Sequence, residues 1–173
     1  KLTSPDGKIV LSVSAGTDLK WSATFDGKEI ISSVNVAMIM DNAEIPAEKE
    51  PVKKVALGKV DQILEPVVAV KHSRLIDNCN TMKVIFKSGN AVQFRAYNDG
   101  IAYRFETALK TDIIIKKEVA DIQFPAGTMS WYPLEESMMS HNERIFIHSF
   151  LDTIGENHLA SLPALFVANG INV

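Results

Sequence analysis

Apolar residues recur at every second position through much of the chain, and each such run stops at a turn former. Alternation of period two sends one set of side chains inward and the other outward, which is the mark of a half-buried strand. Ile9, Leu11 and Val13 form one such row, and Leu19, Trp21, Ala23 and Phe25 a second. Asp26-Gly27 follows as a tight hairpin turn, because glycine accepts positive φ. Lys28 to Ile31 predicts a short strand, and Val34 to Met40 another with its even-numbered positions inward. Met82, Val84 and Phe86, then Val92, Phe94 and Ala96, then Ile101, Tyr103 and Phe105 repeat the pattern. Ser88-Gly89-Asn90 and Asn98-Asp99-Gly100 separate these runs, so the three predict an antiparallel meander. Its second face carries Arg95, Arg104 and Glu106.

The pattern fails elsewhere. Residues 41–59 carry Pro46, Pro51, Gly58 and many charges, and predict an exposed, mobile loop. Val60 to Lys71 predicts a strand split by Pro66, which places it at an edge or a bend. Asp112 to Phe124 is one more strand candidate. Trp131-Tyr132-Pro133 reads as turn-like, and Leu134 to Phe150 has no clean period. Leu162 to Val167 predicts a last strand, and Ile171-Asn172-Val173 looks like the start of an unfinished one. No long amphipathic helix competes. The expected fold is all-β, an antiparallel β-sandwich or barrel, built as one domain over residues 1–173 that is cut short at its C-terminal end.

Composition narrows the partners. The 173 residues are 46% hydrophobic, enough for a real core. The 18 basic residues against 21 acidic ones offer no basic stripe for nucleic acid. No run approaches the roughly 18 apolar residues of a membrane helix, and the polar start Lys1 to Gly7 is not a signal peptide. The single cysteine, Cys79, permits no internal disulfide.

Chemistry-bearing motifs are scarce. There is no P-loop, no dinucleotide-binding glycine pattern, no nucleophile elbow and no zinc spacing. His72, His141, His148 and His158 share no metal-ligand spacing and read as surface residues before they read as ligands. Glu135-Glu136 would point to opposite faces of a strand, and a solvated loop is the simpler reading. Asp99 is explained by its turn, and Cys79 as a passive thiol. Arg95 and Arg104 either fork onto a ligand's carboxylate or hydroxyls, or pair with Glu106 and other acids. Trp21 reads as core. Trp131 either stacks on a sugar or plugs the sandwich end. Met138-Met139 reads as adaptable filler at an interface between domains.

The opening Ser4-Pro5-Asp6-Gly7-Lys8-Ile9-Val10-Leu11-Ser12-Val13, with Leu19-Lys20-Trp21-Ser22 and Asp26-Gly27-Lys28-Glu29-Ile30-Ile31, resembles the N-terminal domain of glycoside hydrolase family 97. The block from Phe94 through Arg95-Ala96-Tyr97-Asn98-Asp99-Gly100 to Phe105 is its most specific element. Ser140-His141-Asn142-Glu143 and Leu162-Pro163-Ala164-Leu165 follow in the family's order. Departures fall at residues 41–59 and at Asn142, where the family leads one to expect an aromatic residue.

The resemblance implies an N-terminal β-super-sandwich on a longer α-glucosidase or α-galactosidase. The catalytic carboxylates would lie on a (β/α)8 barrel absent from this chain, followed by a small C-terminal β domain. The sandwich would brace the barrel and shape the sugar-binding rim, with Trp131, Arg95, Arg104, His141 and Glu143 as candidate carbohydrate contacts. Catalytic residues and metal ligands are expected nowhere in these residues. The resemblance implies calcium in the full-length enzyme, with the domain's glutamate ligand beyond Val173. It also implies an oligosaccharide substrate and a periplasmic or otherwise exported protein whose signal segment is removed before Lys1. The alternative is a free-standing carbohydrate-binding module.

Overall fold

A computed structural model describes residues 1–140 and 143–173. Among these, the strands are β1 (Leu2–Thr3), β2 (Ile9–Ala15), β3 (Leu19–Phe25), β4 (Lys28–Met40), β5 (Glu44–Ile45), β6 (Val52–Leu64), β7 (Leu75–Phe86) and β8 (Ala91–Ala96). They continue as β9 (Ile101–Glu106), β10 (Ile115–Gln123), β11 (Met129–Glu135), β12 (Phe146–Phe150), β13 (Leu159–Ala160), β14 (Leu165–Ala168) and β15 (Ile171–Asn172). A short 3-10 helix sits at Leu151–Thr153. None of the described helical segments is long and apolar enough to cross a membrane.

Three antiparallel sheets result. The first runs β1-β2-β3-β4-β10 with β5 against β4, the second β6-β7-β8-β9, and the third β12-β11-β14-β15 with β13 against β11. The first two face each other. Leu11, Leu19, Val34 and Val36 from one side meet Val84, Phe86, Val92 and Phe94 from the other in a single buried cluster. These are the rows that the alternation assigned inward, and two packed sheets are how such rows leave water. Tyr103 joins the layers, its ring centroid 6.4 Å from Trp21 and 6.1 Å from Phe94. The third sheet hangs on the first. Phe124, just past β10, stacks on Phe166 of β14 at 4.4 Å, and Asn169 donates to the Glu29 carbonyl at 2.7 Å.

The Asp26-Gly27 turn forms with both residues at positive φ, 47° and 77°. The meander forms as expected, in the register Met82, Phe94, Tyr103. Other expectations need correction. Lys28 to Met40 is one strand, not two, because Ser33 keeps its backbone pairing, opposite Gln123 of β10. Residues 41–59 are not a loop throughout. Ile45 is fully buried, and Val52–Leu64 pairs along its length with β7. Glu50 fastens the approach to β6, accepting from the Ser88 and Ala47 backbone N–H groups at 3.0 and 3.1 Å. β6 shows no alternation because it is an edge strand open to solvent on both faces, including Lys53, Lys54 and Lys59. Pro66 lies just past its end, as an edge position allows. Trp131-Tyr132-Pro133 is strand rather than turn and lies inside β11, with Pro133 opposite Phe146.

Candidate functional site

The outward face of the meander is built around two carboxylates. Gln93 opposes Arg104 across β8 and β9, so Arg104, Gln93 and Arg95 share that face. Arg95 reaches Asp77 of β7, its Nη1 lying 3.2 Å from Oδ1 and 3.3 Å from Oδ2. The Tyr97 hydroxyl donates to Asp77 Oδ1 at 2.9 Å, and Gln62 of β6 donates to Oδ2 at 2.9 Å. Arg95 Nη1 also donates to the Tyr97 hydroxyl at 3.0 Å. Asp77 is itself buried. The Gln62 and Tyr97 hydrogen bonds, with Arg95 beside them, hold its carboxyl below the ordinary carboxylate range against the opposing effect of burial. A buried carboxylate with this many donors is satisfied rather than reactive.

Arg104 takes a different partner. Its Nη2 and Nε both approach Glu106 Oε1, at 3.0 and 3.2 Å, and Lys83 Nζ lies 2.5 Å from Glu106 Oε2. The Lys83 contact, then Arg104, keeps Glu106 below its usual range. Both arginines are therefore engaged by acids of their own sheet. On the inward face, burial and donation to Glu118 push the Tyr103 phenol up to about 12.

Trp131 lies on the third sheet, away from this network. It opposes His148 on one side and Leu165 on the other. The His148 ring stacks on the indole at 3.9 Å with 14° between planes, so one indole face is covered. Glu143 is exposed, and His141 lies outside the described residues.

Glu135, expected in a solvated loop with Glu136, is instead buried, while Glu136 is exposed. It ends β11, opposite Leu159, so its side chain is carried inward by the strand. Oε2 accepts from Ser140 Oγ at 2.6 Å and Arg144 Nε at 3.0 Å, and Oε1 from Ser161 Oγ at 2.9 Å. Ser140 first, then Arg144 and Ser161, hold the carboxyl below its usual range despite burial. Alternation alone does not reveal this position, because β11 buries Ser130 and Tyr132 as well as Pro133 and Glu135. Asp77 shares the face of Thr81, which opposes Arg95, so extending β7 back to Leu75 brings Asp77 and Arg95 to one side of the sheet.

Two apolar clefts, of about 420 and 410 Å³, lie against Tyr132 and Phe166 and against Trp21 and Ile171. Among the described residues Asp99, in its turn, is the one Asp or Glu that lines either. A cleft of about 320 Å³ is rimmed by Asp18, Glu44 and Glu48, all exposed. Among the described residues no three His, Cys, Asp or Glu side chains gather as a metal site. The described carboxylates therefore form no calcium shell of their own.

The fold is an antiparallel β-sandwich whose buried and half-buried carboxylates Asp77, Glu106 and Glu135 are held by donors of the same chain. The family model for the glycosyl hydrolase 97 N-terminal domain matches residues 2–173, and the chain belongs to that family. It is 31% identical over 163 residues to a retaining alpha-galactosidase of Bacteroides thetaiotaomicron, covering 93% of this chain and 24% of that protein. A variant of a glycoside hydrolase family 97 enzyme from Pseudoalteromonas sp. strain K8 shares the fold with a TM-score of 0.77 at 18% identity. The match covers 97% of this chain and 26% of the other. A beta-arabinopyranosidase structure matches with a TM-score of 0.80 at 18% identity, over 96% and 29% of the two chains. The chain thus spans about a quarter of the length of these relatives.

Proposed function

We propose that this chain is the non-catalytic N-terminal domain of a longer α-glycosidase, where it braces a (β/α)8 barrel and walls one side of the sugar pocket. The observation that carries the reading is the asymmetry of the match. Nearly all of this chain aligns with only 24% of an alpha-galactosidase, so the relative's remaining three quarters have no counterpart here. That relative favours an α-galactosidic bond over an α-glucosidic one. Calcium bound with a glutamate beyond Val173, and export to the periplasm, belong to the same proposal. For the sugar rim this reading favours Trp131 and Glu143 over Arg95 and Arg104, because the two arginines already face Asp77 and Glu106.

The test is hydrolysis of aryl α-galactosides and α-glucosides by the full-length protein and by this chain alone. Turnover confined to the full-length protein is expected. Turnover by the 173 residues alone would end the division of labour. Isothermal titration of the chain with galacto- and malto-oligosaccharides separates the other class of function. Micromolar binding without the barrel would identify a free-standing carbohydrate-binding module.

A further inference from the structure

Each of the three donors to Glu135 has an apolar sequence neighbour that stands almost wholly in water. Met139 precedes Ser140 and is 93% exposed, Ile145 follows Arg144 and is 91% exposed, and Leu162 follows Ser161 and is 86% exposed. Met138 adds a fourth at 85%. The donors come from two stretches separated in sequence, yet all lie within 3.0 Å of one carboxylate. The backbone of each neighbour is therefore held within a residue of one buried carboxylate. Burying a carboxylate is costly unless it is paired, and large apolar side chains held out in water mark a surface awaiting a partner. An ionic clamp spent on fixing exposed apolar groups makes sense as preorganisation, since ordering them in advance removes that cost from association.

We propose that Glu135 is a positioning residue that assembles Met138, Met139, Ile145 and Leu162 into a docking knob for the remaining module of the parent polypeptide. This rests on the reading of the chain as one domain of a longer enzyme. The occupant is argued from length: the relatives carry the same sandwich on chains about four times as long. Methionine suits the role, because its flexible thioether adapts to a facing surface.

Methionine oxidation tests this directly, since a sulfoxide forms only where the thioether is reachable. The full-length protein and this chain are treated with dilute hydrogen peroxide, and each methionine is followed by peptide mass spectrometry. Met38, Met40 and Met82 are buried in the sandwich and report that the fold is intact. Met138 and Met139 are expected to oxidise at least tenfold more slowly in the full-length protein than in this chain. Equal rates would overturn the proposal. So would protection within this chain that rises with its concentration, which would assign the knob to a second copy. Glu135→Gln in the full-length protein should restore oxidation of Met138 and Met139 several-fold while Met38, Met40 and Met82 stay slow. Should that variant fail to fold, Ser161→Ala, which removes one donor, should give a smaller gain at the same two sites. Unchanged protection in a folded variant would refute the clamp. Because the readout is methionine chemistry, a full-length protein that hydrolyses no α-glycoside refutes the glycosidase reading alone.

Discussion

Phe94→Ala probes the core between the first two sheets. Phe94 is fully buried. It sits on β8 between Met82 of β7 and Tyr103 of β9, with the Tyr103 ring 6.1 Å away. Truncating such a ring loses its transfer free energy and leaves a cavity, together about 3–5 kcal/mol. A domain of this kind has roughly 5–15 kcal/mol of stability in all. With a urea slope of roughly 2 kcal/mol per molar, a loss of ~4 kcal/mol moves the midpoint down by about 2 M. Urea unfolding followed by tryptophan fluorescence measures this, and an unchanged slope certifies that the denatured state is the same. Phe150→Ala is the control. That residue is 50% exposed at the open edge of the third sheet and should cost about 1 kcal/mol or less. A Phe94→Ala variant within about 1 kcal/mol of the parent, or a Phe150→Ala variant as costly as it, would refute the placement of the core between the first two sheets.

The Asp77 network gives a pH signature. Its carboxyl titrates below the unfolded value of about 3.9, so its contribution is complete above that pH and fades as pH falls through the folded value. The stability gap between the parent and Asp77→Asn, read as urea midpoints, should be constant from about pH 7 to 5 and shrink below about 4. A gap unchanged at about pH 3 would contradict the hydrogen-bonded carboxylate. Two glycines should behave oppositely. Gly27 lies at φ +77°, so Gly27→Ala should cost about 1–2 kcal/mol. Gly16 has neither positive φ nor a neighbour within 4 Å of an added Cβ, so Gly16→Ala should be neutral or stabilise by up to about 1 kcal/mol. Thermal melts of the two variants suffice to decide.

What was legible in the sequence was whatever alternates. Leu11, Trp21, Val36, Phe94 and their rows are half-buried strands, and their period names the inward face. Of β6 only the end from Val60 was legible, and it was carried too far, since the strand stops at Leu64; residues 52–59 were not, because an edge strand held by backbone pairing alone imposes no rhythm on its side chains. The site followed the same rule. Arg95 and Arg104 were readable as residues of one polar face, but their partners were not all foreseen. Glu106 was in view, whereas Asp77 lay on a stretch of β7 whose polar residues hid the strand. Glu135 was masked by adjacency, since a pair of glutamates resembles a solvated turn, whereas β11 ends between them and buries Glu135 alone.

The bare edge of β6 carries a consequence for the state of the molecule in solution. Along this thirteen-residue edge strand the backbone groups turned away from β7 would template a neighbouring chain, but Lys53, Lys54 and Lys59 stand along that margin. Two molecules approaching rim to rim would bring cationic rows together, and the repulsion keeps the sheets from fusing end over end. Acetylating those lysines, or raising ionic strength until they are screened, removes the guard and invites fibrous self-association through this strand.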